Sequence, residues 1–230
     1  MLISDLTQLQ SDITARRPVA VLTTLATGAQ RLVHPGDALA NDLASLLADA
    51  VRKDKSGVVQ TAAGEVFINV FNPALRMVMI GAVHISQGLI PMAKAAGYDI
   101  TVIDPRTAFA SGQRFDGVTL DARWPEDALP GLSLDRRTAF IALTHDPKID
   151  DPALRLALAS DCFYVGALGS SRTHAKRRER LLVAGIAPAA FERIRAPIGL
   201  DIGAIGAAEI AISIMAEVTA HLRGKDAGRS

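Results

Sequence analysis

Cysteine is nearly absent: Cys162 is the single one in 230 residues. That excludes a disulfide framework, and with it a zinc site built on the cysteines of one chain. It also suits a reducing compartment. Aromatic residues are scarce, at 4%, too few for the stacking platforms that hold single-stranded nucleic acid. Neither sign of charge prevails. The chain has 25 Lys and Arg against 24 Asp and Glu, a net charge of +1. No global field then draws it to nucleic acid or to an anionic membrane, and any anion site must be local. No apolar run approaches the ~20 residues that span a membrane. The opening residues, "MLISDLTQLQSDITARRP", contain no apolar stretch of signal-peptide length. A soluble, cytoplasmic protein is expected, with neither nucleic acid nor membrane among its partners.

What the chain does have is apolar bulk, 49% hydrophobic against 21% charged. That is enough for a well-buried core in one large domain or one and a half. Residues 1–72 read as a small α+β domain. "LISDLTQLQSDI" spaces Leu2, Leu6, Leu9 and Ile13 as a helix does. "PVAVLTTLAT" is a strand ended by Gly28, and "DALANDLASLLADAVRK" is a helix for which Asp37 offers an N-cap. "GVVQTAAGEVFINVF" reads as two strands around a turn. Asn72-Pro73 breaks the pattern, and the boundary is placed there.

Residues 73–230 alternate strand and helix. "RMVMIGA", "DITVID", "GVTLD", "TAFIALTHD" and "CFYVGALGS" are the strands. "ISQGLIPMAKAAG", "DPALRLALAS", "RTHAKRRERLLVAG" and "GAAEIAISIMAEVTAHL" are the helices, the second with Asp151 as N-cap and Pro152 at its first position. The last residues, "RGKDAGRS", read as a frayed tail. Apolar strands without polar alternation, joined through helices, argue an α/β fold: a doubly wound, Rossmann-like parallel sheet covered on both faces. Such sheets bind ligands at the carboxyl ends of their strands, so the residues after each strand carry the functional information.

Five strand ends stand out. In "MIGAVHISQG", Gly81 ends a strand and Ser86 sits where a dinucleotide fingerprint has its third small residue. Val83 replaces the second glycine, where a branched side chain fills the space of phosphate oxygens. His84 follows. Asp104 lies 23 residues after Gly81, where an acidic side chain would take a ribose hydroxyl. It opens "DPR", whose Arg106 can fork onto a phosphate or lie solvated on a turn. "LTHDP" places Thr144, His145 and Asp146 at another strand end. His145 suits acid, base or hydrogen-bond work, and Asp146 suits a helix cap or a ligand hydroxyl. In "GALGSSRTHAKRR", Gly169, Ser170, Ser171 and Arg172 lead into a helix, an anion-binding concavity with local positive charge. Lys176, Arg177, Arg178 and Arg180 read as a solvated or partner-facing stripe. "PIGLDIGA" sets Asp201 between Gly199 and Gly203, where it can cap a helix, close a cleft or bind a ligand. His84, His145 and His174 all fall near strand ends, but their spacing matches no metal motif, so no metal ligands are assigned. Cys162 begins a buried strand and reads as core. No catalytic residue stands out.

Taken in order, "GAVHISQGLIPMAKAAGYDITVIDPR", "ALTHDPKIDDPAL", "YVGALGSSRTHAKRRERL" and "APIGLDIGAIGAAEIAISIMAEV" resemble the XdhC/CoxI family of accessory proteins for molybdenum hydroxylases. The resemblance covers about residues 73–223. It implies a Rossmann fold in that region. It also implies a cofactor-handling chaperone rather than a metabolic dehydrogenase. Such a protein binds molybdenum cofactor (molybdopterin), protects it, promotes its sulfuration and delivers it to an apo-hydroxylase of xanthine dehydrogenase or CO dehydrogenase type. A cysteine desulfurase as partner and a homodimer come with the same resemblance. Two departures mark a short form. The family's Gly-Gly-Gly-His turn is here Gly81-Ala82-Val83-His84, and no cysteine precedes Cys162. The candidate cofactor-binding residues are therefore Gly81, His84, Asp104, Arg106, Thr144, His145, Asp146, Gly169, Ser170, Ser171, Arg172 and Asp201. An NAD(P)-dependent oxidoreductase on the same frame is the alternative. A docking module that uses the basic stripe is another.

Overall fold

The computed structural model describes residues 3–106, 115 and 117–225. Of the tail expected over 223–230, residues 226–230 lie outside them. The chain divides into two compact units, Met1–Pro73 and Ala74–Ser230.

The first unit is built on four antiparallel strands: β1 (Val19–Thr24), β2 (Gln30–Val33), β3 (Gly57–Thr61) and β4 (Gly64–Phe71). Their order is β2-β1-β4-β3. Neighbouring residues of a strand face opposite ways, and β1 uses both faces. Ala20 and Leu22 pack in a core with Leu47 of α2 (Asn41–Lys53). Val19 and Val21 pack with Leu9 of α1 (Ile3–Thr14). A buried carboxylate ties α1 to the turn after β2. Asp12 bonds Arg17 Nε at 2.8 Å and His34 Nε2 at 2.8 Å. The expected cap is corrected: α2 starts at Asn41 behind Ala40, and Asp37 instead accepts the His34 amide at 2.9 Å in the preceding turn.

The second unit is a six-stranded sheet, β5 (Leu75–Ile80), β6 (Tyr98–Ile103), β7 (Thr119–Asp121), β8 (Thr138–Ala142), β9 (Tyr164–Ala167) and β10 (Ile194–Arg195). The order is β10-β9-β8-β5-β6-β7 and every pair is parallel. Parallel pairs require crossovers, and the helices supply them on both faces. On one face α5 (Pro147–Leu158) and α6 (Ser171–Val183) bury Leu154, Ala157 and Leu181 against Val78, Ile80 and Phe140. On the other, α3 (His84–Ala95) and α8 (Ala207–Leu222) bury Leu89, Ala93, Ile214 and Val218 against Met77, Met79 and Ile141. The α/β, doubly wound architecture is as expected. The chain turns from β5 to β6 on one side and returns to β8 on the other, so the ends of β5 and β8 flank the switch point.

Two details differ from expectation. Helix α5 begins five residues early, at Pro147, because Asp146 caps it by accepting the Lys148 amide at 2.9 Å. Asp151 is therefore helical, and it pairs with Arg180 of α6 at 2.5 and 3.1 Å. Short helices α4 (Pro125–Ala128) and α7 (Pro188–Phe191), and strands β2 and β10, went unforeseen. Elements of two to four residues are too short to express a period. No helix among the described residues is long and apolar enough to cross a membrane.

Candidate functional site

The first strand end is closed by its own bonds. Gly81 has φ +114°, and a Cβ there would lie 3.0 Å from Thr144 Cγ2, so only glycine lets the ends of β5 and β8 come this close. The Ala82 amide donates to Asp104 Oδ2 at 2.8 Å, and the Val83 amide donates to Ser86 Oγ at 2.9 Å. Val83 is extended, with φ −105°, and occupies the N-cap of α3. These are the amides a pyrophosphate would need, and both are taken.

The structure places Asp104 as an anchor of this turn. It is fully buried and holds Arg106 through two bonds, Nε–Oδ1 at 2.9 Å and Nη2–Oδ2 at 2.8 Å. Burial works to raise its pKa. The Arg106 guanidinium and the Ala82 amide together outweigh that and hold the carboxyl below its ordinary value. No oxygen is left for a ribose. Arg106 is likewise bound to Asp104 and feels Asp146 and Asp150 as further negative charge. His84 is exposed at the first position of α3.

The second strand end is a tight knot. Thr144 is buried and its Oγ1 donates to Asp150 Oδ1 at 2.7 Å. The Asp146 amide donates to Thr144 Oγ1 at 3.1 Å. Between them His145 is exposed and takes φ +62°. A bulky residue in that left-handed region is uncommon and carries strain.

The third strand end opens onto a cleft of about 1040 Å³. His145, Gly169, Ser170, Ser171 and Asp201 all line it. Gly169, at φ +127°, turns the chain so that Ser170 caps α6, its Oγ accepting the Thr173 amide at 3.3 Å. The Ser171 and Arg172 amides, at the first two helical positions, have no partner among the described residues. They carry the positive end of the helix dipole. The opposite wall follows the cis Ala196-Pro197 bond, through Gly199 to Asp201. Its support is Glu217, a buried carboxylate missed in the sequence. Glu217 Oε2 accepts Tyr164 Oη at 2.5 Å and the Gly199 amide at 2.8 Å. The available signal was a lone carboxylate inside the apolar run "IAISIMAEVTA".

The sites proposed from sequence thus separate. Five residues share the cleft. Arg172 lines a second, smaller pocket together with His145. Gly81, Asp104, Arg106 and Thr144 build the switch point, and Asp146 caps α5. His174 is stacked on Phe191, with ring centroids 4.7 Å apart.

A sequence model of the XdhC Rossmann domain matches residues 77–218. The chain belongs to that family. Two relatives agree with the XdhC assignment. Over 148 residues, 64% of this chain, it is 34% identical to the Escherichia coli K12 protein named molybdenum cofactor insertion chaperone PaoD. Over 153 residues, 66% of the chain, it is 31% identical to a Bacillus subtilis 168 protein whose name makes it a probable xanthine dehydrogenase subunit. The matches span 40% and 44% of those proteins, so the chain covers less than half the length of these curated relatives. A solved structure described as a xanthine dehydrogenase from Bacillus halodurans superposes with a TM-score of 0.66 at 22% identity, over 99% of this chain and 66% of that one. That likeness supports the XdhC fold.

In this XdhC chain the switch-point turn leaves little for a dinucleotide to hold. Val83→Gly is therefore expected to leave NADH and NADPH binding at the millimolar level or undetectable, because the amides stay engaged. Fluorescence titration checks this. Tight binding by the variant would make Val83 a gate against dinucleotides.

Proposed function

We propose that the second unit binds molybdenum cofactor as cargo in the cleft between Gly169–Ser171 and Asp201, and serves the maturation of a molybdenum hydroxylase. The observation that carries this is the convergence of five strand-end residues on one cavity of about 1040 Å³ at the mouth of α6. Sites of roughly 300–1,000 Å³ suit ligands of this class. The free amides at the start of α6 suit the cofactor's phosphate. The Asp201 carboxylate and the His145 imidazole offer an acceptor and an orientable donor for the pterin edge. The dithiolene brings most of the metal's ligands with the cargo, which relieves the chain of supplying a cysteine set. The name of the Escherichia coli relative, a molybdenum cofactor insertion chaperone, favours the same cargo. Delivery to an apo-hydroxylase of xanthine dehydrogenase or CO dehydrogenase type completes the proposal.

Mass spectrometry of the chain purified beside the cofactor pathway is the test. A stoichiometric pterin is expected, and His145→Ala with Asp201→Asn is expected to reduce it about tenfold, the size of one or two lost hydrogen bonds. Absence of pterin, with no effect of deletion on hydroxylase activity, would overturn the proposal.

A further inference from the structure

Arg177 departs furthest from its sequence expectation. It lies on α6 among Lys176, Arg178 and Arg180, where a solvated stripe was foreseen, yet it is only 2% exposed. Its Nη2 donates to the Leu168 carbonyl at 2.9 Å, which pins the guanidinium beside the end of β9. Its Nε and Nη1 have no partner among the described residues. A guanidinium does not deprotonate in a protein, and a buried charge without a partner is costly.

Asp150 is the carboxylate whose charge acts most on Arg177, and it compensates poorly. It is 1% exposed, its Oδ1 is taken by Thr144, and its Oδ2 has no partner among the described residues. Burial raises its pKa, against the Thr144 bond and the Arg177 charge. Both residues line a cavity of about 220 Å³, together with His145, Arg172, Lys176 and Arg180. Asp151 also lines it, but is already paired with Arg180. The lining thus sets four cations, Arg172, Lys176, Arg177 and Arg180, against two acids, Asp150 and Asp151, around one small space.

We propose that this cavity is a site for a tetrahedral oxyanion, with Arg177 as its buried anchor and the exposed Arg172 and Lys176 at its mouth. A water would fill the orphaned hydrogen bonds but leave the charge uncompensated. The volume lies below the roughly 300 Å³ at which ring-bearing ligands begin to fit, and it accommodates a phosphate-sized group. Two sources share that chemistry: a free phosphate-type ion, and the phosphate monoester of the cleft's cargo, which would then reach this cavity beside His145 in place of the α6 amides. The second source rests on the cofactor-binding proposal above; the first does not.

Calorimetric titration of the full chain with inorganic phosphate at low ionic strength tests the free ion. The same titration with molybdenum cofactor and with its dephosphorylated form tests the monoester. Saturable binding is expected in at least one arm. Arg177→Met is expected to weaken it about tenfold, the loss of one charge-assisted pair. Since a buried substitution can unfold the chain, Arg172→Gln with Lys176→Gln serves beside it. Both positions are exposed, and this pair is expected to weaken binding about fivefold with the melting temperature unchanged. Phosphate binding in a chain that carries no pterin would sustain this site while the cleft proposal falls. Pterin binding that is equal with and without the phosphate, and equal in Arg177→Met, would leave the cleft and remove the monoester source. No saturable phosphate or phosphate-dependent binding, or binding indifferent to both variants, overturns the site.

Discussion

Gly199→Ala is expected to destabilise the second unit by about 3 kcal/mol, from overpacking and a forced left-handed backbone together, and to abolish binding in the cleft. Gly199 has φ +94°. A Cβ there would run into the Ser213 side chain and lie 3.1 Å from both the Ile214 amide nitrogen and the Ser213 carbonyl carbon. Those atoms belong to the backbone of α8, which packs into the sheet through Ile214 and Val218 and cannot yield. The strand-end loop would have to move instead. Moving it breaks the bond from the Gly199 amide to Glu217 and leaves a buried carboxylate short of a partner. Urea denaturation reads the stability, and pterin content reads the cleft. An alanine variant with wild-type stability and full pterin content would show that the loop is slack.

Asp104→Asn is expected to lower stability by about 3 kcal/mol at neutral pH, the scale for removing one member of a buried, hydrogen-bonded pair. The amide can still accept from Ala82, but its NH₂ end faces the Arg106 guanidinium. The sign of the pH dependence follows from the lowered pKa. The carboxyl contributes its stabilisation fully above its unfolded value near 3.9, and loses it as pH falls through the still lower folded value. The gap between wild type and variant should therefore stay constant from pH 7 to about pH 5 and close below pH 4. Urea midpoints at several pH values measure it. A gap that widens toward acid would mean that Asp104 is held in its neutral form.

Much of the fold was legible, and the reasons are local. The strands "RMVMI" and "TAFIA" are buried on both faces and carry no polar alternation, a pattern peculiar to covered parallel strands. The helices α3 and α8 are long enough to show a period. What escaped was short or decided from far away in sequence. Pro147 outcompeted Pro152 for the start of α5 because Asp146 capped it first. The cleft's position was legible as strand ends, but not its membership. Asp104 fits a ribose by spacing, yet Arg106, two residues on, consumes it. Arg177 and Glu217 escaped because burial of a charge depends on what packs above it, and composition and period are silent on that.

His145 lines both the large cleft and the small cationic pocket. Its backbone sits where glycine would be more comfortable. Two compartments with one wall in common form a single thermodynamic system. If an occupant of one turns the imidazole, the affinity of the other changes, and the reverse effect is equal in size. Cargo held in the cleft and an anion held below it would then report on each other, and release of one could be timed by the loss of the other.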